Sequence, residues 1–546
     1  MNIKQNCKKP NVLVLLTDQQ RYDTIGVAGY SHMITPNLDY LASSGCLYTN
    51  AHSSNPVCMP ARHDLLTGLP GRAHGYFTNN RQPIKDYSLP TLPRIFQENG
   101  YRTVAVGKMH FFPRRMHHGF GDMFLMEEIP DCRQNDQYAT YLKEQGLEHI
   151  QNLHGIRPHI YHIPQNSQMD EAHHGTNWVA DKMIEWLQQN KEEPFFMMGG
   201  WISPHPPCAL PKEYRGLYSG QEIPEHVPLS RNCLFGKEEN EWYGDIDSEQ
   251  EKRSIREEYY SSITMVDKHI GRVLNYLEES GILDNTLIIF TSDHGEMLQD
   301  KGFYCKMLPY EGAVRIPFII RYPERFNKGV KNDKFVSLLD IMPTCLDVCG
   351  LEYNGGKYEL EGESLCSESA KKHRINQVSS CGVGADRWVM NRNKRYKYIY
   401  WYNRGYEELF DMQNDPGELV NLMETENYPE SEYIKLRDGV IDYEKQWGPD
   451  GVIVNGDFVK YDQAEYLMGV ANSKFPFFCN KQFQRFNDSS SQEKEQRFIQ
   501  EIKHALEGRD LPVNDIYNHP AWKKDFSDNW NSFGETQDIM DLLFEK

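Results

Sequence analysis

A doubly wound, mainly parallel α/β sheet with a smaller antiparallel-sheet subdomain on its C-terminal side is what this sequence predicts, on three observations. Short runs of almost purely apolar residues recur through the first part of the chain, as strands buried on both faces require. Longer amphipathic segments separate them, as helices covering such a sheet must. Near residue 370 the texture changes to alternating aromatic and polar residues, which suits an antiparallel hairpin.

Taken in order, "NVLVLL" (11–16) reads as the first strand. It is too short for the apolar part of a signal peptide and passes directly into Thr17 and Asp18 with no small-residue cleavage site. "TPNLDYLASSG" (35–45) reads as a helix, with Thr35 as cap, Pro36 in the first turn and Gly45 as stop. "RTVAVG" (102–107) and "PFFMMGG" (194–200) are the next strands. In "EEYYSSITMVDKHIGRVLNYLEESG" (257–281), Tyr259, Ile263, Val266, Ile270, Val273 and Leu277 recur at helical steps and Gly281 closes the element. "NTLIIFTSD" (285–293) and "RIPFIIRYP" (315–323) complete the strand set. "RYKYIYWYNRGYEELFDMQNDPGELVNL" (395–422) is expected to form a hairpin turning at Asn414, Asp415 and Pro416. A short amphipathic helix is expected at 498–506. The expected organisation is a catalytic domain at 1–370, an antiparallel-sheet subdomain at 371–450 and an unassigned extension at 451–546.

The 546 residues exceed one core, which stops growing at roughly 250–300 residues. A formal charge of −19 argues against a sequence-independent nucleic-acid binder, which needs a basic face to displace phosphate counterions. A small anionic substrate stays compatible, because a few convergent cations in a cleft capture it whatever the overall sign. No apolar stretch approaches the roughly 20 residues that span a bilayer, so no membrane partner is expected. The 12 cysteines are scattered without CxxC pairs, and with no export signal read they are expected to be reduced, in a cytoplasmic protein.

Ligands bind such sheets outside the carboxyl ends of the strands. The first four runs deliver Asp18 and Gln19, then Lys108 and His110, then His205, then Asp293 and His294. Each alone is more simply a turn former, a surface cation or a locally satisfied imidazole. Recurrence at one structural position is what points to chemistry. Asp18, Gln19, Asp293 and His294 make a plausible divalent site, hard oxygens suiting Ca²⁺ or Mg²⁺ and the imidazole leaning toward Mn²⁺. "NPVCMPARHDLLTG" (55–68) puts Cys58 in what reads as an exposed loop ahead of a helix, beside Arg62. That is an odd place for a residue usually found as a small buried hydrophobe.

The stretch "CMPAR" at 58–62 resembles the C/S-x-P-x-R signature of the type I sulfatases, members of the alkaline phosphatase superfamily. "LLTDQQ", "GKMH", "PHPP", "TSDHGE" and "YEGAVRIP" stand beside it in the family's order. The resemblance implies a sulfuric ester hydrolase whose Cys58 is oxidised by a maturation enzyme to formylglycine, hydrated to a geminal diol. One hydroxyl attacks sulfur; deprotonation of the other collapses the sulfated hemiacetal, expels sulfate and regenerates the aldehyde. The resemblance also implies one divalent ion, Ca²⁺ before Mn²⁺ or Mg²⁺, on Asp18, Asp293, His294 and the Cys58-derived diol, with Gln19 as a possible further ligand. Arg62 would hold the diol and the charge beside it, and Lys108 and Lys306 would bind sulfate oxygens. His110 would take the second hydroxyl's proton, and His205 would serve the leaving-group oxygen. Two departures stand out. Asp18-Gln19 and Asp293-His294 replace the common Asp-Asp and Asp-Asn, which is similar to the choline sulfatase and phosphonate monoester hydrolase branch. Phosphonate monoester or phosphodiester hydrolysis is therefore the alternative reading. Ala61 replaces the signature's commonest Ser, which calls for a maturation enzyme tolerant of that position. A non-catalytic binding protein that keeps the thiol is the third reading.

Overall fold

Strand β1 (Asn11–Asp18) is buried along its whole length because both its faces are covered. Val12, Val14 and Leu16 point into one apolar layer, Leu13 and Leu15 into the other. The computed structural model describes residues 9–80, 82–130, 132–156, 162–229, 249–366, 374–462, 500–501 and 503–507. The remaining strands of the main sheet are β2 (Cys46–His52), β3 (Arg102–Gly107), β4 (Asp122–Leu125), β5 (Phe195–Pro204), β6 (Thr286–Ser292), β7 (Arg315–Ile316), β8 (Phe318–Arg321) and β9 (Val330–Ser337). Their order is β9-β2-β8-β6-β1-β5-β3-β4, with β7 beside β2. All pairings are parallel except those of β8 and β7, which run against their neighbours.

Helices cover both faces. On the Leu13 side lie α1 (Pro36–Ser43) and the longer helices α4 (Gly175–Asn190) and α5 (Glu249–Glu279); on the Val12 side lie α2 (Cys58–Thr67), α3 (Leu92–Glu98) and α6 (Ile341–Cys349). The α5 stripe predicted from Tyr259 to Leu277 is buried as expected, and the helix starts eight residues earlier than the periodicity suggested. The cap of α1 differs from expectation. Thr35 makes no side-chain cap; its hydroxyl accepts from Gly26 N at 2.9 Å. Asp267 of α5 accepts from the backbone N–H groups of Asn37 and Leu38 at 3.1 and 2.7 Å, so a packed neighbour supplies the acceptors that a helix start needs.

Strands β10 (Gln377–Cys381), β11 (Trp388–Arg392), β12 (Tyr396–Trp401) and β13 (Tyr406–Asp411) form a four-stranded antiparallel sheet, backed by α7 (Glu430–Trp447). The predicted hairpin exists, but its turn lies at 402–405, where Arg404 and Gly405 have φ of 62° and 60°. Asn414 and Asp415 instead close an Asp411-centred turn after β13. The other face of this sheet docks Trp388, Met390, Ile399, Trp401 and Phe410 onto Val57, Met297, Tyr310 and Val314 of the main domain. A buried ion network crosses the same boundary. Glu311 accepts from Arg392 at 2.6 Å and from Lys397 at 3.1 Å, and Lys397 also meets Glu418 at 2.6 Å.

The first residues of the helix expected at 498–506 lie outside the described residues. Glu501 accepts from Gln151 N, Asn152 N and Asn152 Nδ2 at 2.7, 3.2 and 2.6 Å, which ties this part of the extension to the main domain. Among the described residues, Cys46, Cys58, Cys208, Cys345, Cys349, Cys366 and Cys381 are free thiols. No helix among the described residues is long and apolar enough to cross a membrane.

Candidate active site

The strand exits converge. Asp18 ends β1, Lys108 follows β3, His205 follows β5 and Asp293 follows β6, all at the carboxyl edge of the sheet. Two glycines make the middle exits possible: a Cβ on Gly107, at φ 93°, would lie 2.0 Å from Gly200 O, and one on Gly200 would lie 2.4 Å from Lys108 O. Lys108 N then donates to Gly200 O at 2.8 Å, fixing where the lysine leaves the sheet. Gln19 and His110, the residues that turn away from the exits, have left-handed φ of 67° and 58°, a conformation that side-chain-bearing residues hold only when their surroundings enforce it.

Cys58 is not in an exposed loop. It is the first residue of α2 and only 1% exposed. The helix starts there because Pro60 is tolerated in a first turn, where N–H groups lack intrahelical partners; Met59 N donates instead to Asn79 at 3.0 Å. Were Cys58 oxidised to formylglycine, as the resemblance above implies, its Cβ would become the aldehyde carbon and oxygens would replace Sγ, so the contacts of Sγ mark where the diol would stand. Sγ lies 3.3 Å from His294 Nε2 and 3.8 Å from Asp18 Oδ1.

Asp18, Cys58, Asp293 and His294 offer ligand atoms that all lie within 4.8 Å of one another, and all four residues are buried. His294 Nδ1 is 3.0 Å from Gly295 O, so Nδ1 carries the proton and Nε2 presents its lone pair to the cluster. Burial and the neighbouring Asp18 push the Asp293 carboxyl up to about 6, against His294 and Arg62. Burial would likewise raise Asp18, but Lys108, His205, Arg62 and Lys306 outweigh it and hold that carboxyl well below the usual range. Two carboxylates and one imidazole in a buried site fit a single hard or borderline divalent cation, whose charge would relieve the repulsion that Asp293 registers.

Cations frame this cluster. Arg62, fully buried, donates from Nε to Asp293 at 2.9 Å, from Nη2 to Asp18 at 3.0 Å and from Nη1 to Lys108 O at 2.5 Å. Lys108 Nζ meets Asp18 at 2.7 Å and Glu128 at 2.5 Å. Lys306 Nζ donates to Gln19 Oε1, and Gln19 Nε2 to Glu296. Gln19 therefore reaches the cluster through its backbone N–H, 3.1 Å from Asp293 Oδ1, while its side chain holds Lys306. Burial and Asp18 push the Cys58 thiol up, but Lys306, Lys108 and His294 outweigh them and bring it well below its ordinary value. A helix start and two lysines thus favour an anion at this position.

His205 is buried with Nδ1 2.7 Å from Pro206 O and Nε2 3.7 Å from Glu128 Oε1. His110 is bound through its backbone N–H to Glu127 at 2.9 Å, and among the described residues its buried Nδ1 has no hydrogen-bond partner. Sequence reasoning missed Glu127, Glu128 and Glu296. The first two follow β4, whose four residues are too few to stand out as a strand. Glu296 lies inside the quoted "TSDHGE" and was legible there as one more carboxylate.

Residues 10–351 match the family described as Sulfatase, and residues 299–445 match N-sulphoglucosamine sulphohydrolase, C-terminal. An arylsulfatase of Clostridium perfringens is 32% identical over 451 residues, which cover 77% of this chain and 92% of the relative. A choline-sulfatase of Rhizobium meliloti is 27% identical, over 77% of this chain and 84% of its own. The solved phosphonate monoester hydrolase of Agrobacterium radiobacter superposes with a TM-score of 0.69 at 24% identity, covering 80% and 96% of the two chains, a likeness of fold alone. The family match spans the strands and loops that build this pocket, and the pocket's chemistry agrees with it: the chain belongs to the sulfatase family, formylglycine-dependent hydrolases of sulfate esters on an alkaline-phosphatase-like fold.

Proposed function

We propose that this sulfatase cleaves a small organic or carbohydrate sulfate ester, with Ca²⁺ as its divalent ion and formylglycine at position 58 as nucleophile. The observation that carries the reading is the position of Cys58: a buried helix start, 3.3 Å from His294 Nε2, facing two buried lysines. Asp18, Asp293 and His294 would hold the ion; Gln19, whose side-chain oxygen accepts from Lys306, would join them only by releasing that lysine. When bound, the ion supplies Lewis-acid charge neutralisation beside the nucleophile. Lys108 and Lys306 bind the sulfate oxygens and meet the charge that grows on them in the transition state. Arg62 keeps the two carboxylates apart and in register. His205 serves the leaving-group oxygen through Nε2, since Nδ1 is committed to Pro206 O. His110 takes the proton from the second hydroxyl, its Nδ1, without a hydrogen-bond partner among the described residues, being the available base. An oxygen-independent maturation enzyme tolerant of Ala61 completes the reading.

A second reading, phosphonate monoester or phosphodiester hydrolysis by the same nucleophile, is favoured by the Asp293-His294 pair, in which a histidine enters the cluster. Product release from paired aryl sulfate and aryl phosphonate esters, with the aldehyde at position 58 verified by mass spectrometry, separates the two. Faster sulfate turnover upholds the first; faster phosphonate turnover overturns it.

A further inference from the structure

Glu128 has no place in the chemistry set out above, yet it is buried where that chemistry happens. It is 7% exposed and comes from the loop after β4, the last strand of the sheet. Its two oxygens divide between two roles. Oε2 accepts from Lys108 Nζ at 2.5 Å, on the sulfate side; Oε1 faces His205 Nε2 at 3.7 Å, on the leaving-group side. We infer that Glu128 is a positioning residue for departure of the alcohol, one carboxylate that orients His205 and keeps its Nε2 presented as a proton donor while anchoring Lys108.

The contact of Nδ1 with a carbonyl fixes one proton there, so Nε2 can donate only as an imidazolium. Burial disfavours that cation, and Lys306 and Lys108 nearby disfavour it further. Together they hold the imidazole well below its ordinary value, and Glu128 is the largest counter-charge opposing them, with Asp18 behind it. As the S–O bond to the alcohol breaks, its electron pair passes to the departing oxygen, which takes the Nε2 proton. Neutral imidazole remains, still donating from Nδ1, and Glu128 stays ionised against Lys108. The residue matters in proportion to how much the alcohol needs that proton. Good leaving groups depart as anions, and alkyl alcohols do not.

The inference rests on the reading of His205 as the leaving-group donor, and the test separates the two. Matured wild-type, Glu128→Gln, His205→Ala and the double variant are assayed on 4-nitrophenyl, phenyl and alkyl sulfates. The loss in kcat for Glu128→Gln is expected to grow along that series, about tenfold or more from first to last. The double variant should lose little beyond His205→Ala, since the two residues act as one unit. Equal loss on all three esters by Glu128→Gln, with a growing loss by His205→Ala, overturns the inference and keeps the histidine's role. Equal loss by both removes the histidine's role, and the inference with it. Should Glu128→Gln fail to fold, Glu128→Asp, which withdraws Oε1 from the histidine, is read on the same series.

Discussion

Replacing Arg62 by lysine keeps the charge and removes the fork, so it isolates what geometry contributes. The guanidinium makes three directed bonds, to Asp293 at 2.9 Å, Asp18 at 3.0 Å and Lys108 O at 2.5 Å. A single ammonium on a flexible stem can serve one of the two carboxylates. The other carboxylate and the carbonyl then lose their donor in a buried site. At about 1.5–3 kcal/mol for the charged bond and about 0.5–1.5 kcal/mol for the neutral one, the loss is about 2–4.5 kcal/mol. If the displaced carboxylate misaligns the ligands of the ion, that loss falls on the transition state as about 30- to 2,000-fold in kcat/KM. Arg62 is also part of the stretch that the maturation enzyme reads, so aldehyde occupancy at position 58 is measured by mass spectrometry and rates are normalised to it. An Arg62→Lys enzyme with full aldehyde and kcat/KM within threefold of wild type would refute the reasoning.

Cys58→Ala is expected to abolish turnover while near-UV circular dichroism stays native, because the thiol lies among charged groups and contributes little apolar packing; turnover near the wild-type rate sinks the mechanism. Lys397→Met leaves Glu311 and Glu418 facing each other in a fully buried site. It should cost about 3–5 kcal/mol, read as a lower denaturant midpoint, and an unchanged midpoint would show that the network is dispensable. Burial pushes the Glu408 carboxyl up to about 7, with Trp401 and Tyr310 donating to it. A folded value above the unfolded one means stability present in full below about pH 4.5 and lost as pH rises through 7, roughly 3 kcal/mol in all. Glu408→Gln should flatten Tm between pH 5 and 8, and an unaltered slope excludes this carboxyl as its source.

The strands most visible in the sequence were those buried on both faces. "NVLVLL", "RTVAVG", "PFFMMGG" and "NTLIIFTSD" are apolar at every step because helices lie above and below. β2, "CLYTNAH", and β9, "VKNDKFVS", hid because half-exposed residues interrupt them, and β4 because it has only four residues. The site residues at strand exits were legible for the same reason the strands were. The setting of Cys58 was not, since nothing local says that Pro60 sits inside a first turn or that a distant sheet will cover Val57. The hairpin turn was misplaced because Asn-Asp-Pro is the louder signal, whereas Arg404 and Gly405 supply the left-handed pair that closes the strands. Glu128 could not be foreseen, because its importance lies in two partners from β3 and β5.

The docking of the four-stranded sheet onto Val57 and Tyr310 sets a clock on the ribosome. Cys58 is 1% exposed once everything around it has assembled, so an enzyme that oxidises it must act on a chain still open. Val57, the residue before it, shares an apolar core with Trp388, Trp401 and Phe410, which are synthesised some 330–350 residues later. At about 5–20 residues per second, that interval is roughly 20–70 s. The order of synthesis thus grants a modifying enzyme its opportunity: the apolar core beside the nucleophile cannot close until Phe410 has been made.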